Sequence, residues 1–396
     1  MSVYKLTNPV QSYSWGSRTS LSEILGIPNL SGEPQAELWM GAHPKAPSRI
    51  LPSATDSALT VSLDKLISRD PEALLGKTGA SLFGGRLPYL FKVLSAAEPL
   101  SIQAHPSLGQ AREGFEREEK AGIPWDAPHR NYKDPNHKPE ILCALTPFKA
   151  LWGFRSLDAI QAVFRNLGTP GEILCRRDTI RSFFLALMEM KEEGVKEILE
   201  AAVKPGIIPA GHSGAAWAAR LQNLYPGDRG ALAPLYLNVV DLEPGEAIFI
   251  PSGELHAYLE GTGMELMANS DNVLRGGLTP KHVDIPELLS VLSFESREPS
   301  RVTVTGTPAC ALYPVPAREF MLSRISLTRE DPVQEREPRG GEIFLCLAGG
   351  VSLLWSEGGL SLERGESVFI GADTGAYRLE GEGILFGASI PGEGGA

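Results

Sequence analysis

The chain reads as a mainly β protein with a helical insert, organised around two related β-barrels. Three observations predict this. Through the first 150 residues short apolar runs alternate with Gly, Pro, Asn and Ser, in a chain that holds 42 Gly and 31 Pro; this is the punctuation of many short strands. From about Ser156 to Tyr225 the texture changes, with apolar residues at three- and four-residue spacing in SLDAIQAVFRNLG, DTIRSFFLALMEMKEEGVKEILEAAVK and GAAWAARLQNLYPGD, the period of amphipathic helices. Strand texture then returns at Leu235, and DLEPGEAIFI (Asp241 to Ile250) and SLERGESVFI (Ser361 to Ile370) share the pattern L-E-x-G-E-x-x-F-I, an internal repeat.

In chain order, residues 1–153 form the first part of one barrel, 154–230 the helical insert, 231–300 the second part of that barrel with a short helix at DIPELLSVL, and 301–396 a second barrel. Each copy of the repeat is followed by Ala-Tyr, at Ala257-Tyr258 and Ala376-Tyr377. A glycine turn feeding an apolar strand that doubles back is a barrel hairpin. His256 precedes Ala-Tyr in the first copy and Gly375 in the second, so the second barrel is expected to be free of metal.

Composition narrows the function. A chain of 396 residues, 42% apolar and 21% charged, is globular and long enough for two or three domains. Its 48 acidic and 37 basic residues give a net charge of −11, and no basic run is interleaved with aromatics, which argues against nucleic acid and for small-molecule clients. No apolar run approaches the roughly 20 residues of a membrane span, and MSVYKLTNPV lacks the basic start and apolar core of a signal peptide. The cytoplasm is the expected compartment, with no membrane partner. Cys143, Cys175, Cys310 and Cys346 are scattered without C-x-x-C spacing, so any metal must be held by nitrogen and oxygen.

Two segments offer such ligands. In SIQAHP, Gln103 and His105 stand two apart, on one face of a strand, as half of a metal site or as a polar strand end. Gly245, Glu246, Pro251, Gly253 and His256 form G-E-x4-P-x-G-x2-H, where Pro251 and Gly253 set a tight turn that delivers His256 to the next strand facing inward. That segment resembles the second signature of the cupin superfamily, whose double-stranded β-helix (jelly-roll) barrels hold a central metal. It departs from the signature at Glu246, in place of aspartate, and at Glu260, in place of asparagine.

YKDPNHKPE, Tyr132 to Glu140, crowds Asp134, Asn136, His137, Lys138 and Glu140 around prolines at the start of an apolar strand. Together with ELMANSDNVLRGGLTPK, Glu265 to Lys281, it resembles the two signature segments of the type I phosphomannose isomerases. Gly276 replaces a common alanine. YSWGS, AELWMGAHPKAPS, LPYLFKVLS and LSIQAHP follow in the family's order, so the resemblance spans the barrel regions to about residue 285.

That resemblance implies two cupin-like barrels plus a helical domain, and a zinc-dependent aldose–ketose isomerase interconverting mannose 6-phosphate and fructose 6-phosphate through a cis-enediol, in mannose metabolism. It implies one zinc per chain held by Gln103, His105, Glu140 and His256, an ion left with a net charge of about +1 and room for a sugar oxygen. Arg275 is the implied active-site arginine, orienting the sugar or stabilising developing charge. For the phosphate of the hexose 6-phosphate the candidates are Lys281 and Ser101, followed by Lys92 and Lys138. His137, Lys138 and Glu265 all qualify as proton carriers and are not ranked. Trp15, Asp271 and His43 belong to the pocket or its scaffold, and His129, His212 and His282 lack a supporting constellation. A monomer is expected. Competing readings are a non-catalytic cupin that binds a sugar phosphate, and a metal-dependent cupin oxidase, which would favour a more histidine-rich set.

Overall fold

The computed structural model describes residues 1–51, 61–204, 206–208, 213–338 and 340–391; His212 lies outside them. Its β structure falls into two antiparallel sheets of ten strands each. The first sheet is assembled around the 13-residue strand His256–Ala268, which pairs with Tyr89–Ala96, Ile102–Ala104, Glu140–Ala144 and Phe148–Phe154. Its register slips between Tyr258 and Glu260. Side chains alternate along a strand, so an irregularity of one residue lets even-numbered His256 and odd-numbered Glu265 face the same interior.

The second sheet is built on two long strands, Glu342–Trp355 and Tyr377–Ser389, which pair along most of their length. Two of its members come from the other end of the chain: Val3–Thr7 pairs with Ser367–Ile370, and Arg49–Ile50 pairs in turn with Val3–Thr7. A core that includes Tyr89, Phe91 and Met264 from the first sheet and Phe320, Ile343, Phe369 and Phe386 from the second joins the two.

Helices Leu157–Phe164, Gly168–Cys175, Ile180–Met188, Glu192–Ala202 and Ser213–Leu224 form the insert. Phe164, Phe183, Phe184 and Tyr236 pack there against Phe154 at the end of a first-sheet strand. DIPELLSVL supplies the helix Ile285–Val291, capped by Asp284. The first 150 residues, expected to be mostly β, also contain helices Leu63–Arg69, Pro71–Leu82 and Leu108–Lys120. The last starts on a capping box between Ser107 and Gln110, a local signal strong enough to nucleate a helix between strands. Among the described residues no helix is long and apolar enough to cross a membrane.

Candidate metal centre and substrate pocket

Three buried side chains converge at the mid-point of the first sheet. His105 follows the strand Ile102–Ala104, Glu140 opens Glu140–Ala144 and His256 opens His256–Ala268, and their ligand atoms all lie within 4.8 Å of one another. His105 is 0% exposed, Glu140 1% and His256 1%. The imidazole Nε2 atoms lie 3.3 and 3.4 Å from the two oxygens of Glu140. These are close approaches without hydrogen-bond geometry, since both Nε2 atoms and Glu140 Oε2 have no hydrogen-bond partner.

The other nitrogen of each ring explains the orientation. His105 Nδ1 lies 2.7 Å from the Asn272 carbonyl and His256 Nδ1 2.9 Å from the Glu254 carbonyl. A carbonyl only accepts, so both Nδ1 atoms carry the proton and both Nε2 lone pairs point inward, the tautomer a metal ligand requires. Burial, and then Lys138, lowers the His105 pKa to about 4, which keeps the ring neutral. Burial alone would raise Glu140, but the Lys138 ammonium beside it holds it well below the ordinary carboxylate range. Two neutral inward nitrogens and an ionised carboxylate, all orphaned in a dry site, fit a divalent cation with nitrogen and oxygen preference.

Gln103 stands directly across from both His256 and Arg275 in the strand register. Cross-strand partners project from the same face, so Arg275, Gln103 and His256 form a row over three strands. The second signature builds the wall beside them. The buried side chain of Asn272 accepts from Lys133 N at 2.6 Å and donates to the carbonyls of Asp134 and Asn136 at 2.7 and 2.9 Å. One asparagine thereby fastens the YKDPNHKPE loop while its own carbonyl orients His105. In the sequence Asn272 stands inside ELMANSDNVLRGGLTPK with nothing local to mark that role.

The remaining candidates separate by their partners. Lys138 Nζ lies 2.9 Å from Glu140 Oε1. Lys92, a phosphate candidate, is instead buried between Glu265 at 2.9 Å and Glu37 at 3.4 Å. Burial disfavours its charge, yet the two carboxylates raise its pKa above that of an ordinary lysine. His137, a candidate proton carrier, reaches Glu319 at 2.8 Å, a residue from the C-terminal third that had not been singled out. Asp271 contacts Lys45 at 2.9 Å and His43 at 3.6 Å, and Trp15 stacks on Tyr13. Arg275 and Lys281 carry no ion pair among the described residues. Lys281 is exposed, yet its pKa is drawn down by partial burial and then by Arg275 and Lys45. Ser101 lies two residues before Gln103. His129 and His282 line a separate cleft with Arg117, Asp284 and Glu287.

Known proteins resemble this chain along nearly its whole length. Residues 3–157 match the family description "Phosphomannose isomerase type I, catalytic domain". The chain is 41% identical over 391 residues to mannose-6-phosphate isomerase of Escherichia coli (strain K12), covering 96% of this chain and 98% of that one. It is 33% identical over 414 residues to the Homo sapiens enzyme of the same name, with 94% of each covered. A zinc-bound holo crystal structure of mannose 6-phosphate isomerase superposes with a TM-score of 0.90 at 40% identity, over 98% of this chain and all of that one.

Proposed function

The chain belongs to the type I phosphomannose isomerases, and from that premise we propose how its own residues carry out the reaction. It is a zinc-dependent aldose–ketose isomerase that acts on a sugar phosphate, interconverting mannose 6-phosphate and fructose 6-phosphate through a cis-enediol. The observation that carries the assignment of the site is the set of inward, orphaned atoms on His105, Glu140 and His256. With Gln103 across from His256 they would hold one ion. When bound, zinc supplies Lewis-acid charge that polarises the sugar carbonyl and favours the enediolate.

The polypeptide does the rest. Arg275, in register with Gln103, places a permanently charged, two-pronged donor beside the centre, suited to two adjacent sugar oxygens and to charge that grows as the C–H bond breaks. Lys281 and the Ser101 hydroxyl take the phosphate, and Lys45 joins them because it shares the electrostatic neighbourhood of Lys281. Lys138 is the candidate proton carrier whose head group reaches the centre itself, through Glu140, so it holds or moves the proton between C1 and C2. Glu265, locked to Lys92, and His137, locked to Glu319, keep the walls in position.

We assign each sheet a cupin-type barrel, with the helical insert at 154–230 interrupting the first and residues 301–396 forming the second, joined by Val3–Thr7 and Arg49–Ile50. The repeated turns described below support that layout. A cytoplasmic monomer is the working assignment, consistent with the acidic composition. A coupled assay of mannose 6-phosphate turnover with metal analysis on the same sample tests the whole reading. Sugar-phosphate binding without turnover would restore the non-catalytic alternative, and activity that persists with no zinc present would remove the metal from the mechanism.

A further inference from the structure

The second sheet repeats the first position by position. In the turn of the first copy, Gly245 N donates to Ala144 O at 2.8 Å and Ala144 N to Glu246 O at 2.9 Å; in the second, Gly365 N donates to Cys346 O at 2.8 Å and Cys346 N to Glu366 O at 2.9 Å. The glutamate side chains close both turns alike, Glu246 Oε2 accepting from Glu243 N at 2.9 Å and Glu366 Oε2 from Glu363 N at 2.8 Å. Ala144 therefore corresponds to Cys346, and four residues earlier Glu140 corresponds to Glu342. Strand register agrees: Glu140 lies opposite Ile250, and Glu342 opposite Ile370.

The same register identifies the other positions. Trp152 lies opposite His256, and Trp355 opposite Tyr377. Gln103 lies opposite His256, and Arg336 opposite Tyr377. Tyr377, not Gly375, is thus the counterpart of His256; alignment on Ala-Tyr slipped by two residues, because similarity of letters does not fix strand pairing. Two residues beyond Gln103 stands His105, and two beyond Arg336 stands Pro338, which offers no ligand atom.

Three of these counterparts, Glu342, Tyr377 and Arg336, make a closed cluster. The Tyr377 hydroxyl donates to Glu342 Oε2 at 2.5 Å, Arg336 Nε donates to the Tyr377 oxygen at 3.0 Å, and Arg336 Nη2 lies 3.7 Å from Glu342 Oε1. Glu342 is 2% exposed and Tyr377 3%. We infer that the second sheet holds a converted copy of the metal centre, in which the Arg336 guanidinium is a built-in cation standing where the first sheet takes its metal. A guanidinium supplies positive charge to the buried glutamate with no dependence on metal supply. The C-terminal half, with the N-terminal strand it captures, then folds and stays folded without an ion, while the first sheet remains the one that exchanges its cation. The inference rests on the assignment of Gln103 and His256 as ligand positions.

Two experiments on the full-length zinc enzyme test it. The first is a stability cycle. Arg336→Met strands the buried carboxylate and is expected to lower Tm by roughly 5–10 °C, and adding Glu342→Gln is expected to restore more than half of that loss. A double variant no more stable than Arg336→Met would overturn the role of resident cation. The second is conversion back, with Arg336→Gln, Pro338→His and Tyr377→His combined to recreate the Gln, His, Glu, His set. Stripped of zinc with a chelator and titrated with cobalt, this variant is expected to bind two equivalents where the parent treated alike binds one. A folded, active triple variant that still binds one equivalent overturns the equivalence, and if the triple variant does not fold the stability cycle decides. His256→Ala separates the two readings, since a variant that kept its own metal would break the first-centre assignment and leave the cycle untouched.

Discussion

Each sheet buries one glutamate at the same place, and the two are treated in opposite ways. Glu342 is held by a phenol and a guanidinium, whereas Glu140 faces two imidazole nitrogens, neither of which hydrogen-bonds to it, and one of its oxygens is left without a partner. Native interiors satisfy nearly all of their buried polar atoms. Three orphaned atoms that face one another, on His105, Glu140 and His256, therefore mark where a ligand belongs, whereas Glu342, Tyr377 and Arg336 bond to one another at the equivalent point.

The sharpest way to break this contrast is His256→Ala. Zinc should fall from one equivalent towards none, and because the metal supplies several kcal/mol of charge stabilisation, turnover should fall by more than about 10³-fold. Metal analysis and the coupled assay read both. Full zinc occupancy would sink the ligand set, and a second stoichiometric ion lost on mutating residues beyond 300 would sink the contrast itself.

Next in size is Arg275→Ala. Arg275 lies in register with Gln103 but is not a ligand, so zinc should stay while turnover drops by roughly 10²–10³-fold, as on removing a donor to developing charge. Lys281→Ala should act mainly on KM, because phosphate carries the same charge in ground and transition states. Steady-state kinetics of both variants would contradict this division if Arg275→Ala stayed within a few-fold of the parent in turnover.

Much of the first sheet's centre was legible in the sequence. Residues two apart on a strand share a face, which offered Gln103 and His105 as half of a metal site or a polar strand end, and the Pro-x-Gly turn offered His256; His105 and His256 meet in the cluster with Glu140. What escaped depended on pairing between distant segments. Val3–Thr7 joins Ser367–Ile370 across the whole chain, Glu319 meets His137 over 182 residues, and neither leaves a local trace. Lys92 looked like a free cation because the carboxylates that neutralise it, Glu37 and Glu265, come from other strands. The early helices were obscured by Gly and Pro around them, which read as strand punctuation.

Asn272→Ala probes the wall between the two signature segments. It removes hydrogen bonds to Lys133, Asp134 and Asn136 but leaves the main-chain carbonyl that orients His105. Residues that support ligands typically alter metal affinity by roughly 10–100-fold, so competition with a chelator should show a loss in that range. Unchanged affinity with lowered Tm would make Asn272 a purely structural fastener.

The smallest expected effect lies where the two halves of the molecule touch. Glu319 is 9% exposed, and one of its oxygens accepts from His137 Nε2 at 2.8 Å. Burial would raise its pKa, but the His137 contact holds it below the ordinary carboxylate value. A carboxylate whose folded-state pKa is depressed stabilises the protein above its unfolded pKa, and that contribution is lost as pH falls through the folded value. Glu319→Gln keeps the shape and removes the charge. The parent should therefore be the more stable at neutral pH, and the gap should close in acid. If the C-terminal half serves catalysis by holding His137, and with it the loop that carries Lys138 and Glu140, turnover should also drop by about 10-fold with zinc retained, since small misplacements of a catalytic loop are costly. Thermal melts across pH and steady-state kinetics at neutral pH measure the two effects separately. A variant that loses stability but turns over like the parent would confine the C-terminal half to packing and leave all the chemistry to the first sheet.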